Sequence, residues 1–246
     1  MPDTQIFRRA LLLPCLLAFL ALPSANIARA QEADEELPPP IGHAVLISGD
    51  PMIHHKGEEM PVLIEPDSAI YPNDTIFTDA ASAVKIEFID HTSISLAGED
   101  GSLEINSYIF DPALTEKNQA HYTILKASFE YISGLIDKRI KPERTAGTSA
   151  PNVKIDLDLG SIGVRGTTLY RSMKEGQCWV YLENGLIDVY NEGGKVTLTP
   201  GQGTRMSARD KAPLTPAPWK KERIDWIKGT LSALDKAPAH DNDEAE

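Results

Sequence analysis

Residues 153–203 constrain the fold more than any other stretch. Val153, Ile155, Leu157 and Leu159 are apolar, and Lys154, Asp156 and Asp158 between them are charged. A period of two sends one set to a buried face and the other to water, which predicts a strand of a half-buried sheet. Gly160 and Gly163 interrupt the pattern, Arg165-Gly166-Thr167-Thr168 follows, and a new strand is expected near Leu169. Three more short strands are expected after it, separated by Glu183-Asn184-Gly185, by Glu192-Gly193-Gly194 and by Pro200-Gly201. Asn-Gly and Gly-Gly supply the positive φ that tight hairpins need. Strand and turn thus recur roughly every 8–12 residues, the spacing of an all-β domain.

The chain from Ile41 onward reads the same way. Residues 44–47, 52–55, 62–64 and 75–78 are short strands between turn-forming residues. Val84, Ile86 and Phe88, then Ile94 and Leu96, then Leu103 and Ile105 alternate with polar residues, as half-buried strands do. Residues 94–105 and 189–198 echo each other as strand, glycine turn, strand. Further strands are expected around 122–126 and 129–132. Helical spacing is clear at Ile224, Ile227, Leu231 and Leu234, with Trp226 beside the stripe. It predicts a C-terminal amphipathic helix over 219–236 that packs back onto the sheet, weakened by Gly229.

The ends read differently. Arg8 and Arg9 precede a nearly all-apolar run to Leu22, and Ala28-Arg29-Ala30 gives a small-residue cleavage site before Gln31. Residues 1–30 are therefore expected to be a secretory signal peptide, with an uncleaved anchor as the rival reading. Cleavage removes Arg8, Arg9, Arg29 and Asp3, and the net charge moves from -12 to -14. Such an acidic chain is a poor partner for nucleic acid or an anionic membrane surface. The expected location is periplasmic or secreted. Residues 31–40 form an acidic, proline-ended lead-in, 41–210 the β domain, 211–218 a proline-rich linker and 237–246 an acidic disordered tail. After cleavage one cysteine remains, Cys178, expected as a buried small hydrophobe in its strand, the rival being a bond between molecules.

The order of motifs resembles the FecR domain family over residues 42–206. The carriers are Gly42-His43-Ala44-Val45, the run from Ser82 to Asp90, Leu103-Glu104-Ile105, Phe129-Glu130-Tyr131-Ile132-Ser133-Gly134 and Gly163-Val164-Arg165-Gly166-Thr167. Asp90-His91-Thr92 stands where the family often has Asp-Gly-Ser, so that turn is expected to differ. The resemblance implies twisted antiparallel strands arranged as a sandwich or a short β-solenoid. Its best-known members are inner-membrane anti-sigma regulators whose periplasmic domain relays a signal from an outer-membrane receptor. Here the first 30 residues leave no room for a cytoplasmic segment. The expectation is an exported, free-standing, non-catalytic domain that binds a protein or cell-envelope partner, with no cofactor. A membrane-anchored sigma-factor regulator is a lower alternative.

Candidate chemistry is sparse. Gly163, Arg165, Gly166 and Thr167 form the one compact motif. Arg165 either grips a ligand's carboxylate or phosphate or pairs with an acidic side chain such as Glu183, and the flanking glycines favour the structural role. Among six histidines, only His54 and His55 are close, and adjacent strand residues face opposite ways. Asp156 and Asp158 on one strand face would stand about 7 Å apart, within glycosidase range, though charges on a wet strand face are the default. A carbohydrate-binding or carbohydrate-active alternative predicts an exposed aromatic row, which Tyr170, Trp179, Tyr181 and Tyr190 could supply.

Overall fold

The computed structural model describes residues 38–138 and 151–237. The expected signal peptide, most of the lead-in and nearly all of the acidic tail lie outside the described residues. Sixteen strands follow in order: β1 Gly42–Ser48, β2 Met52–His54, β3 Val62–Leu63, β4 Ala69–Ile70, β5 Thr75–Thr78, β6 Ala83–Phe88, β7 Ser93–Ala97 and β8 Gly101–Ile109. Then come β9 Gln119–Leu125, β10 Ser128–Ile132, a single helical turn α1 Leu135–Lys138, β11 Val153–Leu157, β12 Gly160–Lys174, β13 Gln177–Asn191, β14 Gly194–Leu198, β15 Gln202–Met206 and β16 Ala217–Pro218. Helix α2 Lys221–Gly229 and a 3-10 turn, Leu234–Lys236, close the described chain.

The all-β class and the C-terminal helix are as the sequence predicts. The strands form one continuous sheet, curled on itself as a half-barrel. It is mixed, because β9 and β11 run parallel. Parallel neighbours need a long crossover, and the chain between them supplies one through β10 and α1.

The spine is the hairpin of β12 and β13, 15 residues each. The sequence places breaks at Gly163 and at Asn184-Gly185, but both strands run straight through them. The true reversal is Glu175-Gly176, with φ of 53° and 71° between the paired residues Lys174 and Gln177. Positive φ at both central residues is the two-residue hairpin turn whose twist matches the strands.

On its other edge β12 forks. Residues 160–164 pair with β11, and residues 168–171 pair with β10. One lobe continues from β11 through β9, β8, β5 and β2 to β3, the other from β10 through β7, β6 and β1 to β4. Their apolar faces enclose the core, where Phe88 stacks on Tyr108 with centroids 5.4 Å apart, and Tyr122 lies 5.5 Å from Phe88 and 6.5 Å from Tyr131. The strands of residues 94–105 do not make a hairpin: β7 pairs with β6 and β10, whereas β8 pairs with β5 and β9. Residues 189–198 do make one.

At the other end, the proline-rich segment is not all linker. Ala217 and Pro218 add an edge strand to β15, where a proline's missing N–H is tolerated. Trp219 precedes the helix rather than opening it. Gly229 ends the helix rather than weakening its middle, and the apolar stripe is carried on by the turns beyond. Ile227, Leu231, Leu234 and Trp219 are buried against Ala83, Ala97, Tyr170 and Tyr181, so this segment packs onto the sheet.

Candidate functional site

The motif of residues 163–167 sits at the fork. Arg165 opposes Leu186 and Thr168 opposes Asn184, so Gly166 and Thr167 together face Gly185 alone. That is a β-bulge on β12, and a second one at Glu183 on β13 restores the register. Gly166 and Gly185 have φ of 65° and 89°. The bulge turns the backbone of Thr167 away from β13 and towards Ser133. Thr167 N–H donates to Ser133 Oγ at 2.7 Å, and Ser133 N–H donates to the Thr167 carbonyl at 2.8 Å. Arg165 pairs with Asp188 at 3.0 Å, not with Glu183. Register decides this: Asp188 lies opposite Gly163, diagonal to Arg165. Glu183 instead takes Lys228 of α2 at 2.5 Å.

Three of the motifs carrying the family resemblance meet here. Asp90 accepts bonds from the Thr92 N–H, from the Thr92 hydroxyl, from Tyr108 Oη and from the Ile136 N–H, at 2.8–3.1 Å. Gly134 N–H donates to Thr92 Oγ1 at 3.0 Å. His91 holds a φ of 64°, the left-handed conformation that a glycine favours, so the turn keeps it without one. Asp137 accepts from Tyr131 Oη at 2.9 Å and Ser133 Oγ at 2.8 Å. Burial pushes its carboxyl up to about 7, and the nearby Asp90 carboxylate adds to this while the two hydroxyls pull it back. The motif thus locks the junction of the lobes, and its backbone bonds are made inside it, although Thr167 Oγ1 and Asp137 Oδ1 are buried without a hydrogen-bond partner among the described residues.

The sign of the Asp137 shift gives a prediction. The unfolded chain releases this proton near pH 4, the folded one near pH 7. Between those values the unfolded state binds fewer protons, so the contribution present at about pH 4 is lost as pH rises to about 7. Asp137→Asn removes that penalty while keeping an acceptor for both hydroxyls. It is expected to gain roughly 2–4 kcal/mol at about pH 8 and to change little at about pH 4.5. Urea unfolding at both pH values checks this, and a loss of stability at the higher pH would contradict it.

The other candidates are also drawn into internal contacts. Asp156 accepts from His121 at 2.7 Å and from Lys154 at 2.9 Å. Burial alone would raise its pKa, but its bonds to Ser161, Lys154 and His121 together hold it below the usual value. Asp158 is not on the strand face beside it. It stands in the turn after β11, bound to the Lys126 N–H and to Arg171. His55 bonds Asp74 at 3.0 Å, and His54 bonds the Glu58 carbonyl at 2.8 Å. Among the described residues, no three metal-binding side chains gather. Cys178 is buried and free, 3.3 Å from Arg171 Nε. The aromatics do not form an exposed row. Tyr170 and Tyr181 lie buried under α2, Trp179 stacks edge-on to Trp219 and Trp226, and of the four only Tyr190 lines an open cleft away from the helix.

The surface left unspent was not visible in the sequence. On the outer face the register sets Leu63 beside Met52, Met52 beside Phe77, Phe77 beside Ser102 and Ser102 beside Leu125. Leu63 is 54% exposed, Phe77 39% and Leu125 37%, and Met60, just before β3, is 73% exposed. Four strand spacings of about 4.8 Å make this a stripe about 19 Å long, apolar except for Ser102. One end is edge strand β3, which among the described residues pairs only with β2. At the other end Leu125 enters an open cleft of about 670 Å³ lined also by Asp156, Ser161, Tyr190 and Arg209. Single exposed apolar residues are ordinary, but a contiguous row ending on an open edge marks an interaction site.

No protein-family model and no curated protein matches the chain. Among solved structures, two crystal structures of a "putative anti-sigma factor" from Parabacteroides distasonis ATCC 8503 are similar to it. One has 11% identity and a TM-score of 0.45 over 63% of this chain and 64% of that one, and the other has 10% and 0.44 over 63% and 65%. The chain thus spans less than two thirds of either. No helix among the described residues is long and apolar enough to cross a membrane.

Proposed function

We propose that this chain is an exported, non-catalytic module of the FecR type that binds a protein partner of the cell envelope, in the service of signal sensing. The observation that carries the reading is the stripe from β3 to the cleft beyond Leu125. An extended segment of the partner adds to the open edge of β3. Its backbone completes the ladder and its apolar side chains cover Leu63 and Phe77. The order of sequence motifs supports the family, and the N-terminal 30 residues support export.

A photo-crosslinker placed at Leu63 in cells tests this, with one at Leu214, another exposed leucine outside the stripe, as control. The Leu63 probe is expected to trap one partner that the Leu214 probe does not. Phe77→Glu is expected to weaken binding of that partner by about 30-fold with its circular dichroism unchanged, the loss of one interface hot spot. Equal trapping from both positions, or undiminished binding by Phe77→Glu, overturns the reading.

A further inference from the structure

Positive charge without an ion pair among the described residues gathers around the start of α2, away from the stripe. The chain has three tryptophans, and all three meet there. Trp179 lies 5.8 Å from Trp219 and 5.9 Å from Trp226, centroid to centroid. Cations cover the rings. The Arg223 guanidinium is 5.3 Å from both Trp179 and Trp219, Arg205 is 5.1 Å from Trp179, and Lys174 Nζ is 4.9 Å from Trp226. Two clefts of about 190 and 270 Å³ share Trp179 and Arg223. Arg205 and Thr204 line the first, and Lys174, Lys220 and Glu222 line the second.

Most of these charges have no ion-pair partner among the described residues. Lys221 pairs with Asp225 and Lys228 with Glu183. Lys174, Arg205, Lys220 and Arg223 form no ion pair with any described residue, in a chain whose net charge is -12. Lys220 is the N-cap of α2 and makes no side-chain cap. Cations at this positive helix end are unfavourable, and Glu222 offsets only one of them. The indole N–H of Trp179 is buried without an acceptor. Among the described residues, four cations without an ion pair and a helix start without a side-chain cap share one missing component, a negative charge.

We infer that the Trp179 clefts bind an anion, a phosphate or carboxylate group carried by a small ligand. Arg223 and Arg205 present guanidinium forks to it, and Lys220 and Lys174 add charge. This site stands independently of the partner-binding stripe.

Because every tryptophan lies at the site, intrinsic fluorescence reports its occupancy directly. The full chain is titrated with inorganic phosphate, with glucuronate and with neutral glucose, at constant ionic strength set by sodium chloride. A saturable change with phosphate, with glucuronate or with both is expected, and which of them acts identifies the anionic group. Glucose is expected to give none. Arg223→Gln should weaken the response at least about tenfold, as loss of a charge-assisted fork does. Lys220→Gln, at the exposed helix start, should keep the fold and weaken the response by about threefold. The inference is overturned if neither anion gives a saturable change, if glucose gives the same one, or if folded Lys220→Gln and Arg223→Gln respond like the parent.

Discussion

Arg171→Ala is expected to lower stability by about 3–5 kcal/mol, a large share of what a domain of this size holds. Arg171 is fully buried, between Phe129 of β10 and Val180 of β13. Its guanidinium donates to the Ala127 carbonyl, the Asp158 carboxylate and Cys178 Sγ. Truncation leaves a cavity, strips the carbonyl of its donor and leaves Asp158 with only the Lys126 N–H. The first two are costly in a low-dielectric interior, while water at the partly exposed Asp158 softens the third. Lysine is no substitute, because one ammonium cannot span three acceptors in the plane of a guanidinium. Removing both charges should be milder than removing either one. Arg171→Met with Asp158→Asn is expected to recover more than half of the loss, since a well-packed apolar replacement of a buried pair is often near neutral. Urea unfolding of the single and double variants measures the coupling. A loss below about 1 kcal/mol for Arg171→Ala would mean that the guanidinium is not desolvated as the structure has it.

Gly185→Ala should be nearly as damaging, and for a different reason. A β-carbon at Gly185 would lie 1.9 Å from the Gly166 carbonyl oxygen, and the backbone there has φ of 89°. The methyl group therefore meets a backbone atom that can move only by undoing the bulge, and with it the paired bonds between Thr167 and Ser133. Left-handed strain alone costs about 1–3 kcal/mol, and overpacking adds a similar amount. A loss above about 3 kcal/mol is expected. Gly176→Ala is the control: its φ is also positive, at 71°, but nothing lies within 4 Å. It should cost only about 1 kcal/mol, the backbone preference by itself. Equal losses at the two positions would show that close approach at the fork contributes nothing.

Arg171 was not singled out in the sequence, although its position carries a mark. It shares strand parity with Leu169, so it points to the core, and a charged residue on that parity demands partners. The partners were not legible. Asp158 reads as a wet-face residue because the alternation of residues 153–159 gives no sign that the strand stops at Leu157. Glycines misled in the same way. At 163, 166 and 185 they read as breaks, yet two of these three form a bulge inside an unbroken hairpin, because positive φ serves a bulge as well as a turn. Glu175-Gly176, the actual turn, carries no stronger local mark than they do.

The sequence alone determined the all-β class, the buried face of most strands and the apolar stripe of the C-terminal segment. These follow from period and turn chemistry, which act within a few residues. Tertiary structure decided the rest: the fork on β12, the parallel pair of β9 and β11, Asp188 rather than Glu183 beside Arg165, the outer stripe and the tryptophan clefts. Each depends on which distant strands lie side by side and in what register. In a sheet that register is fixed only when the two lobes close over their common core.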